Sequence, residues 1–293
     1  MNTGLLRHYI ERANERGYFT WLPDKQLLHL MYLTRMGKRL NLKNPRTFNE
    51  KLQWLKLHNR KPEYTRMVDK YEAKKYVAEK IGEEYIIPTL GVWERFDDID
   101  FDSLPDQFVL KCTHDSGGLV IVKNKSKLDR DAARNVIERC LKKQYYLQNR
   151  EWPYKNVKPR IIAEKYMVDA ISAELRDYKF FAFNGSVELM FIATDRGTDT
   201  RFDFYDSEFQ HLSIVNGYPN ASKEIGKPAN FEKMKLLAGQ LSVGIPHLRV
   251  DFYEVNGKVY FGELTFFHWS GMVPFEPESW DLKLGELIDL SLV

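Results

Sequence analysis

At 293 residues the chain is long enough for one large domain or two to three small ones, with ample core. An apolar share of 43% and a charged share of 29% are ordinary for a soluble globular protein, and a net charge of +3 without a basic run excludes nucleic-acid binding as a first reading. Cys112 and Cys140 form no CxxC or metal spacing, the first residues lack the apolar core of a signal peptide, and no window approaches a membrane span, so a cytoplasmic protein with reduced thiols is expected.

Residues 1–60 read as helical and basic with interspersed aromatics, and Thr47-Phe48-Asn49-Glu50 has the form of a capping box opening the helix that carries Leu52, Trp54 and Leu55. This region is either a packing layer or a docking surface for an extended acceptor. From Val68 a charged amphipathic helix runs to Gly82, with Lys70 and Lys74 one turn apart, a spacing that ordinarily marks a solvated face. Tyr85–Trp93 reads as a short strand with a turn at Pro88. Residues 106–123 read as strand, loop and strand. Their apolar run ends at Lys111, and a His114-Asp115-Ser116-Gly117-Gly118 loop follows whose backbone N–H groups suit phosphate, although most such loops are plain hairpins. Residues 127–150 are helical, with Asp129 as the N-cap.

Residues 160–169 form a buried strand ending in charge at Glu164-Lys165. Asp177–Phe183, Asn184-Gly185 and the apolar run after it make a hairpin; Lys179 interrupts its first strand, which is costly unless the ammonium has a partner. Residues 230–244 are helical, and a short helix closes the chain. Between them, Leu248–Phe266 reads as two alternating strands about Asn256-Gly257. A two-residue loop would put Asp251 and Glu263 on opposite faces. A three-residue loop, Val255-Asn256-Gly257 with a G1 bulge, would bring Arg249, Asp251, Glu263 and Thr265 onto one face, and this register is the expectation. Two carboxylates set so close need a proton or a cation between them, and hard oxygens suit Mg²⁺; a solvated face with a local Arg–Asp pair is the plain alternative. No GxxxxGK, GxGxxG after a strand, HExxH, GxSxG or HRD element is present, which removes P-loop enzymes, Rossmann dehydrogenases, zincins, serine hydrolases and protein kinases as first readings.

Taken together, Asp69-Lys70, the Phe108–Lys111 strand with its HDSGG loop, IIAEKYM, and RVD followed by GELT resemble the ATP-grasp superfamily. The wording NPRTFNEKLQWLK, DKYEAKKYV, FVLKCTHDSGG, DYKFFAFNG and GELTFF resembles its TupA-like family of bacterial surface-polysaccharide clusters, over roughly residues 40–290. The resemblance implies an α+β ATP-grasp fold in which two subdomains with antiparallel sheets sandwich the nucleotide. The expected division is a helical region at 1–66, a first subdomain at 67–163 and a second at 164–293. It implies ATP and Mg²⁺ as cofactors. Lys70 and Lys111 resemble the phosphate-holding lysines, and Ser116, Gly117 and Gly118 the flap over them. Glu164, Lys165 and Met167 look like the adenine hinge. Asp169 is a candidate for the ribose hydroxyls, with Glu174 as the alternative. Arg249 resembles the γ-phosphate arginine, Lys179 a further phosphate contact, and Asp251 and Glu263 the metal ligands. Thr265, where the superfamily usually has Asn, would be the third metal ligand, a smaller one whose hydroxyl can complete a Mg²⁺ shell.

The resemblance implies a ligase in which a carboxylate takes the γ-phosphate and an amine displaces phosphate from the acyl-phosphate. Its partners would be ATP with carboxylate and amine substrates, sugar-linked, and neither nucleic acid nor a membrane span. His268 is a possible base for the amine or a structural residue, and Trp269 and Trp280 are sugar platforms or core. The competing readings are a glycosyltransferase of the same clusters, against which the absence of a DxD pair counts, and a non-catalytic nucleotide- or glycan-binding module.

Overall fold

The computed structural model describes residues 3–115, 117–169, 175–195 and 198–293. Helices α1 (Thr3–Glu15), α2 (Asp24–Met36), α3 (Phe48–His58), α4 (Glu63–Val68) and α5 (Glu72–Ile81) come first. Strands β1 (Thr89–Trp93), β2 (Phe108–Cys112) and β3 (Leu119–Val122) follow, then α6 (Arg130–Leu141), α7 (Tyr145–Asn149) and β4 (Ile161–Lys165). The remainder is β5 (Asp177–Phe183), β6 (Ser186–Thr194), β7 (Arg201–Asp206), β8 (His211–Leu212), α8 (Phe231–Ser242), β9 (Leu248–Val255), β10 (Lys258–Thr265) and α9 (Ser279–Leu287).

The expected capping box forms: the Glu50 N–H donates to the Thr47 hydroxyl and the Glu50 carboxylate accepts from the Thr47 N–H. The expected single helix from Val68 does not. Asp69 is extended, and its carboxylate accepts from the backbone N–H groups of Tyr71 and Glu72, so α5 starts only at Glu72. Lys70 is thereby released from helical geometry, and its own N–H donates to the Thr113 carbonyl at 3.0 Å, just past β2.

Strands of the described residues pair into two antiparallel sheets, one of order β1-β4-β2-β3 and one of order β10-β9-β5-β6-β7-β8. The first buries Phe108, Leu110, Cys112 and Ile161 against Ile137 and Cys140 of α6. The second carries the larger core, in which Phe180, Phe181, Phe191 and Phe252 meet Phe48, Val77 and Phe231 of α3, α5 and α8. Helices α4 and α5, from the half of the chain that builds the first sheet, pack on β10 of the second. That crossing places Lys70 at the junction of the two sheets. Leu27, Leu28 and Met31 of α2 form a separate small cluster with Leu40 and Met272. No helix among the described residues is long and apolar enough to cross a membrane.

The β9–β10 hairpin corrects the expected loop. Lys258 pairs with Val255, so the turn is the two-residue Asn256-Gly257 type, with φ of 51° and 73° at those residues as a type I′ turn requires. The register then shifts between Phe261 and Glu263, with Gly262 as the extra residue.

Candidate active site

Lysine side chains reach the junction from the first sheet and the helices beside it. Glu164 on β4 is buried, and its carboxylate forms ion pairs with Lys74 of α5 and, at 2.5 Å, with Lys111 of β2. Burial would raise the Glu164 carboxyl, but Lys111 and Lys74 outweigh it and hold it below the usual range. Burial likewise lowers the Lys74 ammonium, with Glu164 opposing. The one-turn spacing from Lys70 predicts a solvated Lys74; it is instead buried, and it also donates to the Ile87 carbonyl at 2.8 Å. Lys70 Nζ donates to the Asp115 carbonyl at 2.6 Å and stands 3.8 Å from Glu263 of the second sheet.

On the second sheet, Lys179, Asp251 and Glu263 form one cross-strand row through β5, β9 and β10, and Phe181, Arg249 and Thr265 form the next. Asp251 is buried and accepts from Arg249 Nε at 2.8 Å and Nη2 at 2.9 Å, and from Lys179. Burial alone would raise its carboxyl; Arg249 and Lys179 bring it below the normal value. Arg249 Nη2 also donates to the Thr265 hydroxyl at 2.9 Å, and Nη1 donates to His268 Nδ1 at 2.9 Å. Since His268 Nδ1 accepts, its Nε2–H donates to Asn216 Oδ1 at 2.8 Å, and Asn216 is itself oriented by giving its amide N–H groups to the Val273 and Pro274 carbonyls. His268 is buried, and burial followed by the Arg249 charge drives it well below its ordinary pKa. A neutral imidazole with both nitrogens engaged orients Arg249; it is not placed as a base.

Three cavities are lined by some of the expected residues, whereas Lys179 and Asp251 line none of the three. A cleft of about 230 Å³ is lined by Lys70, Lys74, Lys111, Gly118, Glu164 and Glu263. A second, of about 290 Å³, takes Lys165 and Met167 together with Val255 and Asn256 of the hairpin end. Glu164 and Lys165, adjacent on a strand, thus serve different cavities, as a period of two dictates. Asp169 accepts from the Asn256 N–H at 2.9 Å, holding that same hairpin end. A third cavity, of about 500 Å³, is lined by Arg249, Glu263 and Thr265 with residues of α1, α2 and α7. Glu263 lines both the first and the third, so the two meet at its carboxylate. Gly117 is exposed at the tip of the β2–β3 loop, and Ser116 and Glu174 lie outside the described residues. Trp280 packs against the large core, whereas Trp269 is 38% exposed. Sequence reasoning did not single out Asn216, whose partners His268, Val273 and Pro274 are distant in the chain.

Among the described residues no group of three or more His, Cys, Asp or Glu side chains could by itself hold a metal ion. The donors nevertheless suit Mg²⁺ completed by substrate phosphates, which is how that ion is usually bound. Glu263 is 35% exposed and its oxygens stand 3.7 and 3.8 Å from Arg249 and Lys70, leaving them open to the cleft. Asp251, with both oxygens on cations, has less capacity to spare.

A family model described as TupA-like ATPgrasp matches residues 50–289. No curated protein matches the chain. Among solved structures, a D-alanine–D-alanine ligase from Bacillus anthracis complexed with ATP is 16% identical with a TM-score of 0.40, covering 75% of this chain and 66% of that one. An N5-carboxyaminoimidazole synthase from Aspergillus clavatus is 13% identical with a TM-score of 0.40, over 71% and 46%. The ATP-grasp ligase PsnB is 10% identical with a TM-score of 0.41, over 74% and 57%. The chain therefore spans roughly half to two-thirds of their lengths.

Proposed function

The chain belongs to the TupA-like ATP-grasp family and has its α+β fold, and from that premise we propose that it is an ATP- and Mg²⁺-dependent carboxylate–amine ligase. Its role would be to attach an amino acid or amine to a uronic-acid or peptide-like acceptor in the assembly of a bacterial surface polysaccharide, in the cytoplasm. One observation carries the chemistry: Glu263 stands where a lysine-lined cleft meets a second, larger cavity that Arg249 and Thr265 also line. A nucleotide in the first cavity and an acceptor in the second would bring γ-phosphate and carboxylate together at that residue.

In this reading Lys70 and Lys111 take the nucleotide phosphates, Gly118 belongs to the flap over them, and Lys165 and Met167 border the base. The cleft is below the roughly 300–1,000 Å³ common for ligand sites, so nucleotide entry widens it, phosphate oxygens replacing the Asp115 carbonyl as the partner of Lys70. Glu164 keeps Lys74 and Lys111 in place until then. Glu263, with the remaining capacity of Asp251, would hold Mg²⁺, which when bound draws charge from the phosphates. The acceptor carboxylate attacks the γ-phosphorus and the bond to ADP breaks; Arg249, fixed by Asp251, Thr265 and His268, faces the charge that develops. The amine lone pair then attacks the acyl carbon, phosphate leaves, and the amide nitrogen releases its proton. Catalysis here is positioning and charge neutralisation, with little covalent work for the protein.

The test is ATP turnover with Mg²⁺ and a panel of uronic acids and peptides, with amino acids as amine donors. ADP and phosphate formed only when acid and amine are both present supports the ligase. Consumption of a sugar nucleotide instead, or no turnover with nucleotide bound, would overturn it.

A further inference from the structure

We infer that the cavity under the N-terminal helices binds an acceptor with a ring-shaped body and a second anionic group besides the reacting carboxylate, and that Arg35 holds that second group. The inference rests on the ligase reading and deepens it by naming the acceptor class. At about 500 Å³ the cavity exceeds the nucleotide cleft and has room for a substituted ring.

Arg35 of α2 lines this cavity and is fixed from two neighbouring elements before any ligand arrives. Its Nε donates to Glu11 of α1 at 3.3 Å and its Nη1 to the side-chain oxygen of Asn149 of α7 at 2.9 Å. Nη2 has no hydrogen-bond partner among the described residues, and the side chain is 22% exposed. Glu11 is shared between Arg35 and Arg7. A guanidinium held this way gives up little side-chain entropy on taking a carboxylate or phosphate.

The ring-shaped body follows from the turn after β10. Trp269, Ser270 and Gly271 all lie in the left-handed region, with φ of 48°, 56° and 61°. Residues with side chains there are disfavoured by about 1–2 kcal/mol each. A buried polar cluster maintains the conformation. Gln53 donates to the Ser270 and Gly271 carbonyls at 2.9 and 2.8 Å, Lys56 donates to the Ser270 carbonyl at 2.8 Å, and the Ser270 hydroxyl donates to Glu151. Gln53, Lys56 and Glu151 are all buried. The turn leaves the indole of Trp269 partly exposed on the cavity lining, backed by Phe202 and Tyr218, rather than in the core. Strain of this kind concentrates at functional sites. An indole and an arginine on the lining of one cavity suit a pyranose, whose C–H face stacks on the indole, that also bears an anion.

The experiment is calorimetry on the full chain with Mg²⁺ and a non-hydrolysable ATP analogue, using glucuronic acid 1-phosphate, glucuronic acid and glucose as probes. The doubly anionic probe is expected to bind at least tenfold tighter than glucuronic acid, and glucose not at all. Arg35→Ala should level the two acidic probes, and Arg35→Lys should restore part of the difference, with nucleotide affinity unchanged in both. Equal affinity for the two acids, binding of glucose as tight as theirs, no binding of any probe, or an equal loss of both acids in Arg35→Ala would overturn the inference. Absence of nucleotide binding to the unaltered protein would instead remove the ligase reading beneath it.

Discussion

Glu263 stands opposite Asp251 because Gly262 is an extra residue in β10, not because of the turn that joins the strands. Pairing runs from the turn as Lys258 with Val255 and Phe261 with Phe252; continued unbroken, it would set Glu263 against Val250 and turn its carboxylate to the other face. A Cβ at position 262 would lie 3.1 Å from the Asp251 carbonyl oxygen and 3.0 Å from the Tyr253 ring, so the extra residue fits as glycine. Lys179, Asp251 and Glu263 thereby share one row across three strands.

Glu263→Gln is expected to abolish Mg²⁺-dependent ATP consumption with little effect on the fold. The partners of Glu263 are distant and the side chain is 35% exposed, so the stability change should stay within about 0.5 kcal/mol. ADP release and thermal melts on the same preparation check both halves, and near-normal turnover would remove Glu263 from the metal site.

Lys111→Ala should weaken nucleotide binding at least tenfold by calorimetry, about 1.4 kcal/mol. Glu164 retains Lys74 as a partner, so the fold should survive. An unchanged dissociation constant would mean that Lys111 serves only Glu164.

Glu164→Gln is expected to cost about 3–5 kcal/mol, because it leaves Lys74 and Lys111 without their shared counter-charge. The pH dependence has a definite sign. The folded carboxyl titrates below its ordinary value of 4.5, so between the two values the unfolded chain binds more protons. Its contribution is present above about pH 4.5 and is lost as pH falls through the folded value. Urea midpoints should therefore fall on acidification in the unaltered protein, and less steeply in Glu164→Gln; parallel curves would show that this carboxylate is not the group responsible.

His268→Gln should lower turnover tenfold or more while preserving the shape of the pH–rate profile. The imidazole is already neutral and buried, and its loss loosens Arg249 rather than removing a proton acceptor. Disappearance of an ionisation from the profile would restore His268 as a base.

Local chemistry made much of this protein legible in its sequence. Capping residues, the Asn-Gly turns and apolar alternation mark α3, the β5–β6 hairpin and β9–β10, since each depends on neighbours within a few residues. Motif order likewise led to the family and to Lys70, Lys111, Arg249 and Glu263 as residues of one region. What tertiary structure decided was which polar groups meet. Lys74 looked like a surface residue until β4 brought Glu164 to it. Asp251 looked like an open ligand until β5 supplied Lys179 and its own strand supplied Arg249. For His268 the sequence leaves a base and a structural residue both open, and the fold gives its two nitrogens to Arg249 and Asn216. A side chain's spacing along the chain reports its face on an element, but its charge state and bonding are set by partners dozens of residues away, and only folding brings those within reach.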